Sequence, residues 1–174
     1  ENRALAHVIW RLFAMNFIAP SSELLQHLLT VNGAIMSKPI IPILENFLFD
    51  ISDNQLKIYS TDLETSMTTS MAVESKENMK VAVPSKMVID ILRSLPEAST
   101  VSLDLDEKRL VVKAGKSRFS LQTLPAEDFP QMSLNAAEPV SFSVTQKSFK
   151  HLLGQTQYAM AAQDVRYYLN GMLL

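Results

Sequence analysis

The strongest constraint on this chain is an internal repeat. Asn16 to Leu29 (NFIAPSSELLQHLL), Val81 to Leu95 (VAVPSKMVIDILRSL) and Ser141 to Leu153 (SFSVTQKSFKHLL) share one plan. Each opens as a short alternating strand, passes a Pro or Thr followed by polar residues suited to a helix start, and continues as an amphipathic helix. The turn residues Pro20, Pro84 and Thr145 are 64 and 61 positions apart. The apolar positions superimpose as Leu24, Val88 and Phe149, then as Leu28, Leu92 and Leu153. A repeat of this length means that one supersecondary unit is used again and again, because a single copy cannot bury its own apolar face.

The segments between the helices read as strands. Asn46 to Ile51 and Gln55 to Thr61 are joined through Ser52-Asp53-Asn54, and Thr65 to Val73 continues a Thr/Met-rich strand. The next unit repeats the plan with Val101 to Leu105, Arg109 to Lys113 and Arg118 to Thr123. Asp106-Glu107-Lys108 and Ala114-Gly115-Lys116-Ser117 supply its turns. The unit is therefore strand, helix, then strand meander. Two units predict an α+β domain with antiparallel sheet and its helices packed together on one face. Pro125 to Pro139, rich in Pro, Ala, Asp and Glu, reads as a linker. The third unit then opens a second domain with a strand, a helix and the beginning of another strand.

This divides the chain into residues 1–14, 15–134 and 135–174. In the first, Leu5, Val8, Ile9, Leu12 and Phe13 have helical spacing, and Met15 follows directly. The segment is a leader or tag ahead of a natural start at Met15, or alternatively a partner-binding helix.

Catalytic motifs are scarce. The chain has no cysteine, which excludes disulfides, thiolate metal sites and a Cys nucleophile, and which fits a reducing cytoplasm. His7, His27 and His151 are scattered without ligand spacing, so no metal or cofactor is expected. Asp62 and Glu64 could pair as catalytic carboxylates with His151 in a hydrolase or nuclease, but a turn held by Asp62 is the simpler reading. Gly115-Lys116-Ser117 imitates the end of a phosphate-binding loop, yet Leu110 stands where that loop's first glycine would be, and the segment lies between strands. No apolar run is long enough to span a membrane, and no secretion signal is expected.

The net charge of −2 gives no global basic signature, so any nucleic-acid contact must be local. Lys86 and Arg93, two helical turns apart, share a face, and Lys147 and Lys150 are neighbours on the third helix. The predicted cores of these helices are Met87, Val88, Ile91, Leu92 and Leu95 in one, and Phe149, Leu152 and Leu153 in the other. The cations then face outward, diluted by Asp90. In Gln163 to Gly171, Arg166 beside Tyr167 and Tyr168 suits phosphate and base contacts. Packing of one tyrosine in a core with a turn at Asn170-Gly171 explains the same residues equally well. A module that binds other proteins through a sheet edge and its leader is a further reading.

Several ordered motifs resemble the bacterial DNA polymerase III β subunit, the DNA sliding clamp family. They are Lys38-Pro39 with Pro42-Ile43-Leu44, Asn46, Thr61-Asp62-Leu63-Glu64, Val83-Pro84, Leu95-Pro96, Ser117 to Leu121, Leu124-Pro125, Asp128-Phe129-Pro130, and the run Gln163 to Leu173. The resemblance extends from Met15 to Leu174. It implies a clamp fold, with antiparallel sheets outside and helices lining the inner face, and a non-catalytic processivity factor in the cytoplasm. The expected partners are double-stranded DNA and, through the full-length protein, the replicative polymerase, the clamp loader and a second copy in a homodimeric ring. The resemblance implies that this chain is the first domain and the opening of the second, so that by itself it cannot close the ring.

The implied DNA-binding residues are Lys38, Lys86, Arg93, Gln163, Arg166, Tyr167 and Tyr168. Lys116, Arg118, Phe119 and Leu121 would form the dimer edge, with Phe119 and Leu121 giving apolar contacts. Arg166 and Leu169 would stand at the edge of the partner-peptide groove. Ala162 departs from the family, where many relatives carry a polar residue, which puts the strength of that loop's DNA contact in doubt.

Overall fold

The computed structural model describes residues 15–36, 38–106, 108–130, 142–162 and 164–173. The leader and Gln163 lie outside the described residues. The chain forms two compact units that divide between residues 133 and 134.

In the first unit, strand β1 (Met15–Pro20) runs into helix α1 (Ser21–Val31), and a meander follows of β2 (Asn46–Ser52), β3 (Gln55–Thr61) and β4 (Ser66–Ala72). The two-residue β5 (Glu74–Ser75) closes the half. The plan then repeats as β6 (Met79–Pro84), α2 (Ser85–Ser94), β7 (Thr100–Asp106), β8 (Arg109–Ala114), β9 (Ser117–Gln122) and β10 (Leu124–Pro125). Pro20 and Pro84 are the N-caps of α1 and α2, with φ of −64° and −57°. The ring fixes this φ, so the same residue ends the strand and starts the helix in both halves.

The α+β class and the strand, helix, meander order expected from the sequence are those observed. The pairing of the strands adds something the repeat did not specify. One antiparallel sheet has the order β5-β1-β7-β8-β9 and the other β10-β6-β2-β3-β4. Each half therefore sends its first strand into the sheet built by the other half's meander. Phe17 of β1 lies directly opposite Leu103 of β7, and Phe49 of β2 lies opposite Val81 of β6.

The core lies between the two sheets and under both helices. Phe17 and Phe49 meet edge to face across it, with ring centroids 6.3 Å apart. Leu24, Leu28 and Val31 of α1 and Val88, Ile89 and Leu92 of α2 fill the space below the helices, which also pack on each other. The expected repeat positions Leu24, Leu28, Val88 and Leu92 are all buried.

One core assignment changes. Met87 is 51% exposed, whereas Ile89 is buried. At 3.6 residues per turn Met87 points about 200° from the buried Ser85, while Ile89 falls about 40° from it, inside the apolar stripe. Hydrophobicity alone does not fix the rotation of the helix; its partners do.

A smaller cluster forms on the other side of the second sheet. Ile43, Leu48, Ala82, Ala126 and Phe129 pack together, with Tyr59 against them. The segment expected to begin a linker at Pro125 is thus anchored at its start. Ala126 and Phe129 are buried, and β10 pairs with β6. Asn46, also buried, donates from Nδ2 to the carbonyl of Ile43 and fixes the turn that enters β2.

The hairpin turns follow local chemistry. Asp53 and Asn54 both have positive φ, 52° and 59°, between the paired Ser52 and Gln55. Two left-handed residues make the turn whose twist matches the flanking strands, and Asp and Asn tolerate it. Gly115, at φ 55°, serves the turn between β8 and β9. The phosphate-loop imitation at Gly115-Lys116-Ser117 is a hairpin, as expected.

The second unit contains α3 (Gln146–Thr156), whose N-cap Thr145 accepts from the backbone N–H of Ser148. Neither flanking strand expected here is present among the described residues. Residues 142–145 are irregular, and helical turns Gln157–Ala159 and Tyr167–Asn170 follow the helix. A strand needs a ladder partner for its backbone groups, and this unit has no other described strand to supply one. Phe149 and Leu153 are half-buried, but Leu152, expected in the core, is exposed, with no strand over it among the described residues.

Candidate nucleic-acid interface

In the first unit the candidate surface is the outer side of α2. Burying Val88, Ile89 and Leu92 turns Lys86, Asp90 and Arg93 to solvent together. The two cations flank one carboxylate, leaving a modest positive excess on this face. Among the described residues neither Lys86 nor Arg93 has an ion-pair partner within 4.0 Å. Lys38 is exposed on the loop after α1, in a left-handed conformation with φ 58° immediately before Pro39. A bulky residue rarely adopts that conformation.

In the second unit the candidate surface is the loop after α3. Tyr167 and Tyr168 are 83% and 65% exposed. They meet edge to face with centroids 5.8 Å apart. Neither packs in a core among the described residues. Arg166 is also exposed, but it is held. Its Nε and one terminal nitrogen, Nη2, donate to the two carboxylate oxygens of Asp164, each at 3.0 Å. The Arg166 guanidinium keeps the Asp164 carboxyl below the ordinary carboxylate range, with the Arg166 backbone N–H helping, and Asp164 raises the arginine in turn.

The loop has an internal frame. The side-chain amide of Asn170 donates to the Asp164 carbonyl at 3.1 Å and accepts from the Asp164 N–H at 3.0 Å. Leu169 donates its N–H to the Arg166 carbonyl, and its own carbonyl accepts from Ala161. Asp164 was not among the residues expected from sequence to matter, and Asn170 was expected only in a turn with Gly171; a short polar residue two positions before Arg166, able to fold back on it, was the available signal. Lys147 and Lys150 are exposed on α3.

The expected dimer edge is partly altered. Among the described residues β9 ends its sheet, paired with β8. Lys116 and Arg118 are exposed and Phe119 is half-buried. Leu121 is only 1% exposed and packs in the core against β8, so its side chain is not offered at the edge. Strand alternation places residues 119 and 121 on the same, inward face.

Asp62 is committed to structure. Its Oδ1 accepts from the backbone N–H groups of Glu64 and Thr65, forming the turn between β3 and β4. No group of three or more metal-ligating side chains occurs among the described residues. Among them, no helix is long and apolar enough to cross a membrane.

Comparison with known proteins places this geometry. The model of the DNA polymerase III beta subunit, N-terminal domain, matches residues 15–133. The chain is 44% identical over 160 residues to the beta sliding clamp of Proteus mirabilis, covering 91% of this chain and 43% of that protein. With the beta sliding clamp of Escherichia coli K12 the identity is 42%, with the same coverage. The crystal structure of a DnaN sliding clamp (DNA polymerase III subunit beta) from Pseudomonas aeruginosa bound to griselimycin superimposes with a TM-score of 0.86 at 38% identity. That match covers 91% of this chain and 43% of the other. The chain thus spans less than half the length of these relatives.

Proposed function

This chain belongs to the DNA polymerase III beta subunit family, and from that membership we propose that it is part of a sliding clamp, the processivity factor of a bacterial replicative DNA polymerase. The clamp acts without bond chemistry, in the cytoplasm. Together with the rest of the subunit, residues 15–134 as a first clamp domain and 135–174 as the start of a second complete a homodimeric ring around duplex DNA. The ring tethers the polymerase, turning each dissociation into rebinding at high effective concentration. Polymerase and clamp loader dock on the full-length protein, with Arg166 and Leu169 at the edge of their groove.

The observation that carries this reading is α2, whose buried face leaves Lys86 and Arg93 exposed beside a single carboxylate and, among the described residues, without an ion-pair partner. Sliding requires contact with phosphates, which carry no direct sequence information, and requires that the hold be weak. A sparse basic face meets both demands. Lys38, Gln163, Arg166, Tyr167 and Tyr168 add contacts, the tyrosines through sugars and phosphates. The unpaired side of β9, with Lys116, Arg118 and Phe119, supports a role as the subunit contact, because an open sheet edge is a template for pairing.

The test uses the complete protein loaded on circular DNA. It should stay on the circle and leave when the circle is cut. Lys86→Ala with Arg93→Ala should reduce the salt slope of duplex binding by about 0.9 for each phosphate that is no longer neutralised. Equal retention on cut and closed DNA would refute the reading.

A further inference from the structure

We propose that Asp164 is a restraint on Arg166 that limits how firmly this loop grips duplex DNA, an inference that rests on the reading of the loop as a DNA contact. The geometry is specific. Asp164 accepts three hydrogen bonds from one residue: the Arg166 backbone N–H at 2.9 Å, Nε at 3.0 Å and Nη2 at 3.0 Å. Asn170 pins the Asp164 peptide from the other side through both its N–H and its carbonyl. The carboxylate is therefore placed by the loop's own frame.

The edge of the guanidinium that Asp164 occupies is the one that matters. The Nε/Nη2 side of an arginine is a fork that matches carboxylate or phosphate with two parallel hydrogen bonds. Of the five N–H donors, two are engaged, and the remaining ones point from the far end. A phosphate can reach that far end but cannot take the fork while the carboxylate holds it. It also meets the charge of Asp164, which cancels that of Arg166. From Asp164 to Tyr168 the loop carries no net charge. Its contact with DNA is thus an oriented, end-on arginine beside two exposed tyrosines, easily made and broken. With Asp164 neutralised, the uncancelled charge of Arg166 and its Nε/Nη2 edge would both be open to phosphate, in addition to the end-on donors, giving a firmer hold that resists sliding.

The experiment measures binding of the 174-residue chain to a short labelled duplex by fluorescence anisotropy across a salt series. Asp164→Asn keeps an oxygen for the Arg166 backbone N–H but removes the competing charge. It should tighten binding about two- to fivefold at low salt and steepen the salt slope by about 0.9. Asp164→Glu retains the charge and should bind like the unmodified chain. In an Arg166→Ala background the gain from Asp164→Asn should fall by at least half, which separates release of the fork from simple removal of a negative charge. Near-ultraviolet circular dichroism of the tyrosine pair checks that the loop keeps its fold. Unchanged or weaker binding by Asp164→Asn, or an equal gain without Arg166, would overturn the restraint. If Arg166→Ala and Tyr167→Ala both leave affinity unchanged, the DNA-contact reading itself fails, and the restraint with it.

Discussion

Leu121 decides between two roles, a surface offered to another subunit and a part of the chain's own core. Its side chain is 1% exposed, lies opposite Leu110 of β8, and belongs to the central cluster. Leu121→Ala removes three carbons from that cluster. Core Leu→Ala changes cost about 2–5 kcal/mol, the transfer of the deleted groups plus the cavity left behind. Because β9 ends its sheet, the surroundings have room to collapse in part, so the lower half of that range applies, about 3 kcal/mol. For a unit of this size the midpoint of thermal unfolding should fall by about 10 °C. Arg118→Ala, on the outward face of the same strand, should change stability by less than about 0.5 kcal/mol. Urea unfolding followed by far-ultraviolet circular dichroism measures both. The destabilisation should not depend on protein concentration, since the packing involved is all within one chain. A change below about 1 kcal/mol for Leu121→Ala, or one that appears only at concentrations where chains associate, would refute the burial argument.

Asn46→Ala removes the donor to the Ile43 carbonyl in a buried turn and should cost about 1–3 kcal/mol in the same unfolding assay; a neutral result would mean that the carbonyl finds another partner. The Asp164 carboxyl, depressed in the folded loop by Arg166, contributes stability that is present above the ordinary carboxylate range and is lost as pH falls through its lowered value. Arg166→Ala should move that titration upward, read from the carboxyl carbon by NMR, and an unmoved midpoint would show that the pair does not form.

Much of this architecture was legible because it is local. Pro20, Pro84 and Thr145 mark helix starts by backbone geometry or capping alone, and the hairpin at Asp53-Asn54 is written in residues that accept positive φ. Other features depended on packing. Met87 and Ile89 are both apolar on one helix, and the core beneath takes Ile89 where the sequence pattern suggests Met87. Residues 142–145 alternate like a strand, yet no ladder partner is described for them. The candidate interface divides in the same way. Lys86 and Arg93 could be placed on an exposed face by helical periodicity, whereas the hold of Asp164 on Arg166 needs a loop that folds back through Asn170.

The sequence by itself determined that a strand, a helix and a meander occur twice in the first unit, with equivalent positions buried in each helix. Tertiary structure decided that the halves exchange strands, β1 joining β7 and β6 joining β2. The physical reason is that hydrophobic alternation specifies which face of a strand is buried but not which edge it pairs with. Both possible sheets would satisfy the same pattern. Exchange leaves each meander without its first strand until the other half arrives, so the two repeats form one core around Phe17 and Phe49 instead of two smaller ones.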